Sequence, residues 1–159
     1  MYRNANPHQK ITYTLTYELE HDIWNWYYGV NYSDQAKYLD SADDKKMAER
    51  VTGIASLEEA TPILHPFLQT KIENPNSSLN HFIQTAQSEF AEKFQAGCNA
   101  IETMTGQPLT ITNFTFYITS FPRMVAFYDE GIIYLYSKTD DELWGMPMDG
   151  FLHELQHFQ

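Results

Sequence analysis

The segment Phe151-Leu152-His153-Glu154-Leu155-Gln156-His157-Phe158-Gln159 carries the pattern from which the fold of this chain can be predicted. On an α-helix, residues four apart lie on the same face, so His153 and His157 would point two imidazole rings at one metal ion. Zinc binds imidazole nitrogen, and its catalytic sites use three protein ligands with water in the fourth position. Glu154 follows the first histidine and could act on that water as a general base. The segment therefore predicts a zinc site, with two ligands and a base on one helix.

The residues around the two histidines favour a helix that packs on a core. Phe151, Leu152, Leu155 and Phe158 are apolar, which is not typical of a charged, solvated helix. Upstream, residues 131–137 read Gly-Ile-Ile-Tyr-Leu-Tyr-Ser, a pattern typical of a strand. Strand, loop and metal-binding helix is the order expected for a helix-borne zinc site. The competing interpretation is an exposed helix end with two solvated histidines.

With this motif the chain resembles the zincin superfamily of zinc metallopeptidases, and it is similar to predicted bacterial zinc-dependent proteases. The resemblance is strict for the motif and loose for the preceding strands and long helix. It implies that His153 and His157 are zinc ligands, that Glu154 is the base and that the substrate is a peptide or protein. It also implies a mixed sheet whose edge strand pairs with an extended substrate. We therefore expect one α+β, zincin-like domain over residues 1–159, with N-terminal helices, a small sheet with a hairpin, and the active-site helix at the C-terminal end.

The third zinc ligand is where the chain departs from the family pattern. Most zincins take a Glu, His or Asp from downstream of the motif, whereas the sequence ends at Gln159. We therefore expect a domain that is incomplete at its C-terminus, and weak or no hydrolysis by these 159 residues alone. The alternatives are a ligand from upstream or from a second copy of the chain, and a relic motif without metal. The corresponding alternative function is an inactive zincin-fold fragment that serves as a protein-binding or structural module.

Candidate ligands upstream of the motif have simpler explanations. His65 and His81 lie beside apolar residues, where a single histidine is usually structural, and His8 and His21 are weaker candidates. Peptide deformylases combine an upstream cysteine with the same motif, but Cys98 lies in an apolar helical stripe and does not match the deformylase pattern, so we expect a core residue. Four tyrosines on the predicted strands could hydrogen-bond an oxyanion, although packing is their simpler role: Tyr117, Tyr128, Tyr134 and Tyr136.

The composition is that of one globular domain. The chain has 159 residues, of which 43% are hydrophobic and 19% charged. A net charge of −11 argues against nucleic acid or an anionic membrane as a partner. No apolar run is long enough to span a membrane. With one cysteine, no internal disulfide and no apolar signal segment in residues 1–10, we expect a cytoplasmic location. The oligomeric state stays open.

Three helices are predicted in the N-terminal half, over residues 17–28, 33–52 and 57–71. Residues 11–19 alternate as a strand would, but we favour helix for their second half, with Gly29 as its stop. Ser33-Asp34 would cap the second helix, whose residues 43–46 form a solvated face or a break. Ser56 would begin a capping box for the third helix, which its two prolines would bend or break.

The pattern changes from helix to strand near residue 105. After a loop at 74–78, residues 78–104 predict a long helix that ends at Gly106. Its apolar residues form one stripe: Leu79, Phe82, Ile83, Ala86, Phe90, Phe94, Cys98, Ile101 and Met104. Residues 109–120 predict a strand with one face made of Thr112, Phe114, Phe116 and Ile118. Residues 125–137 predict a hairpin around the turn Asp129-Glu130-Gly131.

Overall fold

The computed structural model describes residues 11–137 and 158–159. These residues form an α+β structure, which confirms the expected class. The elements, in chain order, are β1 (Thr12–Thr16), α1 (Leu19–Tyr32), a 3-10 helix (Gln35–Tyr38), α2 (Ala42–Val51), α3 (Leu57–Glu73), α4 (Ser78–Thr105), β2 (Asn113–Thr119), β3 (Ala126–Phe127) and β4 (Ile132–Tyr136). Among the described helices, none combines the length and apolarity needed to cross a membrane.

The sheet is mixed, with strand order β1-β2-β4-β3. β1 and β4 both run parallel to β2, whereas β3 pairs antiparallel with β4 at one edge. The helices α1 to α4 therefore all lie in the connection between the neighbouring parallel strands β1 and β2. The predicted hairpin is confirmed as β3 and β4, and Gly131 at its turn has a φ of 67°.

Helix α4 packs on one face of the sheet and forms a core with it. Ser77 caps the helix by accepting a hydrogen bond from Asn80 N, and Gly106, with φ 69°, ends it as predicted. Met104 is the exception in the predicted stripe, since it is 73% exposed. In that last turn Thr105 faces the protein instead and accepts a hydrogen bond from Gln159 Nε2 at 2.6 Å. The sheet residues buried in this core include Phe114, Phe116, Ile118, Ile133 and Leu135.

A second core joins α1, α2 and α3 with Phe121, which lies just beyond β2. Trp26 has no exposed surface, its ring lies 5.1 Å from that of Phe121, and its Nε1 donates to Ser120 Oγ at 2.8 Å. The end of β2 is thus the place where the sheet meets the helical layer.

The first two helix boundaries differ from the predicted ones. The first helix starts at Leu19 and continues through Gly29 to Tyr32, because Gly29 provides a close approach to Phe121 and is not a stop. Ser33 closes this helix by donating to Gly29 O at 2.6 Å. The second α-helix is capped by Ser41, which accepts from Asp44 N at 3.0 Å, and the 3-10 helix precedes it. The range 33–52 therefore holds two short helices, which was one of the two alternatives, but the break lies at residues 39–41 and not at 43–46.

The third helix confirms its predicted cap, and its two prolines do not break it. Ser56 Oγ accepts a hydrogen bond from Glu59 N at 3.1 Å. The helix then runs unbroken through Pro62 and Pro66 to Glu73.

The strand predicted over residues 109–120 is shorter than expected. Thr112 precedes β2 and is exposed, so it does not share the buried face of this strand with Phe114, Phe116 and Ile118.

Gly29→Ala should destabilise the protein, although glycine to alanine within a helix usually stabilises it by about 0.5–1 kcal/mol. A Cβ at this position would lie 2.2 Å from Cε1 of the buried Phe121. We expect a loss of about 1–3 kcal/mol in the free energy of unfolding, measured with urea. The substitution Phe121→Leu should lower the free energy of unfolding by less in the Gly29→Ala variant than in the wild type. A stabilised Gly29→Ala variant would contradict the close contact.

Candidate functional site

The predicted zinc ligands and base, His153, Glu154 and His157, lie outside the described residues. The structure does describe Phe158, the residue that follows the motif directly. Phe158 is 1% exposed, and its ring lies 5.0 Å from that of Phe114 and 5.5 Å from that of Tyr128. The residue after the motif therefore belongs to the core between α4 and the sheet.

Hydrogen bonds attach the backbone of Phe158 to the segment between α4 and β2. The Phe158 carbonyl accepts from Thr110 N at 2.7 Å and from Thr110 Oγ1 at 2.6 Å. Gln159 Nε2 donates to Thr105 Oγ1 and to Gln107 O, both at 2.6 Å. Sequence reasoning missed this anchor, because no local pattern marks Thr110 as the partner of a residue 48 positions away.

The fold does not bring the proposed upstream ligands together. His65 and His81 are exposed on α3 and α4. Cys98 is a core residue, as expected, and burial raises the pKa of its thiol to about 12. Zinc binds the thiolate, so this protonated thiol is a poor ligand at neutral pH. Within residues 11–137 and 158–159, no three His, Cys, Asp or Glu side chains group so that they could hold a metal ion.

His21 belongs to a cluster of aromatic and polar side chains on the sheet face opposite α4. Its ring stacks on Tyr117 with centroids 3.7 Å apart. Its Nδ1 shares a hydrogen bond of 2.9 Å with Tyr134 Oη, and its Nε2 lies 3.4 Å from a carboxylate oxygen of Glu18. Burial raises the pKa of Tyr134 to about 12, so this hydroxyl stays protonated at neutral pH. Both tyrosines pack in the structure, and Tyr134 also holds the imidazole.

A cavity of about 420 Å³ opens beside this cluster, between α1 and the β3–β4 hairpin. Trp24, Phe127 and Tyr134 form much of its wall, and Glu20 and Glu130 also line it. Sequence reasoning overlooked this cavity. The signal that could have revealed it is a second face of α1, on which His21, Trp24 and Tyr28 follow one another at helical spacing.

Asp22 fixes α1 on the sheet beside the cavity. It has no exposed surface, and its carboxylate accepts hydrogen bonds from Tyr17 Oη at 2.7 Å, Thr119 Oγ1 at 2.6 Å, Ser120 N at 3.0 Å and Ser120 Oγ at 2.7 Å. Burial raises the pKa of Asp22 above its usual range, and the hydrogen bonds only partly oppose that shift. The side chain is therefore satisfied in its bonding but disfavoured as an anion.

The described residues thus present two features on opposite faces of one sheet. The anchor at Phe158 lies on the α4 face, and the aromatic cavity lies on the α1 face. No protein-family model, curated protein or solved structure matches the chain.

Phe158→Ala should lower the free energy of unfolding by about 3–5 kcal/mol, because it leaves a cavity in the core beside Phe114. The matched control is Met104→Ala, since Met104 is a large apolar side chain that is 73% exposed. Urea unfolding of both variants measures the difference. Equal effects of the two substitutions would show that Phe158 does not contribute to the core.

The stability of the wild type should fall relative to that of Asp22→Asn as the pH rises above about 4, the usual pKa of aspartate. Because the pKa of Asp22 is higher in the folded state, folding takes up a proton between the unfolded and folded pKa values. The stability that protonated Asp22 contributes is complete below the unfolded pKa and is lost as the pH rises through the folded pKa. The slope is at most about 1.4 kcal/mol per pH unit.

Urea unfolding at a series of pH values measures this difference, because the other titrating groups are common to both proteins. Asp43→Asn, at an exposed position on α2, is the control for the loss of one carboxylate. A difference that runs in the opposite direction would mean that the hydrogen-bond donors around Asp22 outweigh its burial.

Proposed function

We propose that this chain carries the active-site segment of a zinc-dependent peptidase, with His153 and His157 as metal ligands and Glu154 as the general base. The observation that carries the proposal is the His153-Glu154-x-x-His157 spacing followed directly by a core residue. An accidental motif on a solvated helix end has no reason to precede a side chain that is 1% exposed. The two hydrogen bonds from Thr110 to the Phe158 carbonyl support the same interpretation, because they fix the backbone directly after the motif.

The sheet supports the same proposal. It is mixed, and among the described strands β3 is an antiparallel edge strand. An extended peptide can add to such an edge through main-chain hydrogen bonds. The resemblance to zincins implies this role for an edge strand. Tyr128, the residue after β3, contacts Phe158, so the edge strand lies next to the core that holds Phe158.

The chemistry follows from the residue types. A zinc ion bound to the two histidines would polarise the scissile carbonyl and lower the pKa of a water molecule to about 7. Glu154 would accept a proton from the attacking water and deliver it to the leaving amine. Phe158 would restrict the movement of the motif by fixing its C-terminal side in the core, which favours a preorganised site.

Zinc binding by the 159-residue chain is the primary test. The resemblance places the third ligand downstream of the motif, so whether these residues bind the metal has to be measured before hydrolysis. We expect His153→Ala and His157→Ala each to remove the zinc that the wild type binds, measured by equilibrium dialysis and metal analysis. Glu154→Gln should keep the zinc, because Glu154 is not a ligand. His81→Ala, at an exposed position on α4, is the matched control and should bind zinc as the wild type does. Unchanged zinc binding by His153→Ala would exclude the proposed site.

Hydrolysis of an unstructured protein substrate is the second measurement. Any zinc-dependent cleavage should fall about 10²–10⁴-fold in Glu154→Gln, because the proton transfer would be lost while the metal stays bound. Cleavage that survives this substitution would contradict the role of Glu154. Zinc binding without cleavage is expected both of an incomplete peptidase domain and of a protein-binding module, so only cleavage that depends on Glu154 separates the two.

A further inference from the structure

We propose that the cavity between α1 and the β3–β4 hairpin binds an organic cation, in the form of a lysine or arginine side chain of an extended peptide. Three aromatic rings and two carboxylates form the parts of the cavity that would recognise such a group. Binding there needs neither zinc nor hydrolysis, so its test is independent of the proposed peptidase activity.

The cavity is separate from the core that holds Phe158. Ile132 and Tyr134 line the cavity, whereas Ile133 and Leu135 are buried with α4. Because successive strand residues point to opposite faces, the cavity opens on the other side of β4 from Phe158. It is therefore an additional site and not part of the predicted zinc centre.

The aromatic walls meet at steep angles. The ring of Trp24 lies 5.3 Å from that of Tyr134 with 87° between the planes, and 5.7 Å from that of Phe127 with 56° between them. The rings of Phe127 and Tyr134 are 6.2 Å apart at 69°. These rings pack against one another without stacking, and the aromatic faces that they leave open to the cavity attract ammonium and guanidinium groups.

The size of the cavity fits a side chain. A volume of about 420 Å³ is in the range of small-ligand pockets and too small for a folded element. The wall residue Phe127 belongs to the edge strand β3. A peptide added to this edge would direct alternate side chains to the cavity face of the sheet, which favours a peptide over a free amine.

The charges at the cavity favour a cation. Glu20 and Glu130 are exposed, and neither forms an ion pair in the described part of the chain. His21 also lines the cavity, but its Nε2 faces Glu18, so a protonated ring would already be paired. Arg123 lies outside the cavity lining with its guanidinium carbon 5.5 Å from the ring centre of Trp24. Arg123 therefore already uses part of the indole surface, and the two glutamates have to outweigh its positive charge for a second cation to bind.

The first experiment compares two peptides with the full chain by calorimetry in low salt. One is acetyl-Val-Thr-Arg-Thr-Val-amide, and the other has citrulline, the uncharged isostere, in place of arginine. The arginine peptide should bind about tenfold more tightly, and added salt should reduce the difference. Ethylguanidinium should bind more weakly than the arginine peptide, because it lacks the backbone that pairs with β3. Equal binding of the two peptides would overturn the cation site, and ethylguanidinium binding as tight as the arginine peptide would overturn the peptide assignment.

The second experiment places the binding in the cavity. The double variant Glu20→Gln/Glu130→Gln should weaken the arginine peptide about tenfold and leave the citrulline peptide unchanged. The matched control is Glu49→Gln/Glu89→Gln, which removes the same charge from exposed positions on α2 and α4 and should leave binding intact. Phe127→Leu, which keeps an apolar side chain but removes the ring, should weaken the arginine peptide about fivefold. If both double variants lost the same affinity for the arginine peptide, binding would reflect only the attraction of a cationic peptide to an acidic protein, and the proposal would be overturned.

Discussion

Asp22 has no contact with solvent, yet it connects the helical layer to the sheet. Removing a carboxylate from water is costly unless its oxygens are satisfied, and here Tyr17, Thr119 and Ser120 supply the hydrogen bonds. Tyr17 precedes α1, and the other two residues end and follow β2, so these bonds set the position of α1 on the sheet. The cavity wall and the second core both include tryptophans of α1 and therefore depend on this carboxylate.

The predictions from sequence succeeded where the deciding interactions are local. The α4 stripe and its terminal glycine follow from helical periodicity, and the β3–β4 hairpin follows from two short strands around a turn. Pairing of β1 with β2 joins Thr12 to Asn113, and no local pattern encodes this parallel contact. Gly29 shows the same limit, because a glycine that ends a helix and one that makes room for Phe121 look alike in the sequence.

The candidate sites divide in the same way. The His-Glu-x-x-His motif is recognised in the sequence from the spacing of its residues, and the core position of Cys98 follows from its place in the stripe. The anchor of Phe158 depends on Thr110, a loop residue with no distinguishing neighbours. The cavity was overlooked because the pattern of an amphipathic helix assigns one buried face, and α1 has two. Ile23 and Trp26 face the helical core, while His21 and Trp24 face β4.

The β3–β4 hairpin links the two faces of the sheet. Phe127 forms a wall of the cavity, and its neighbour Tyr128 contacts Phe158, the residue directly after the motif. Along β4, Tyr134 faces the cavity and Leu135 faces the α4 core. A peptide that paired with β3 would therefore lie beside residues that contact both features. The hairpin is therefore the element that contributes side chains both to the cavity and to the core that holds Phe158, because its successive residues point to opposite faces of the sheet.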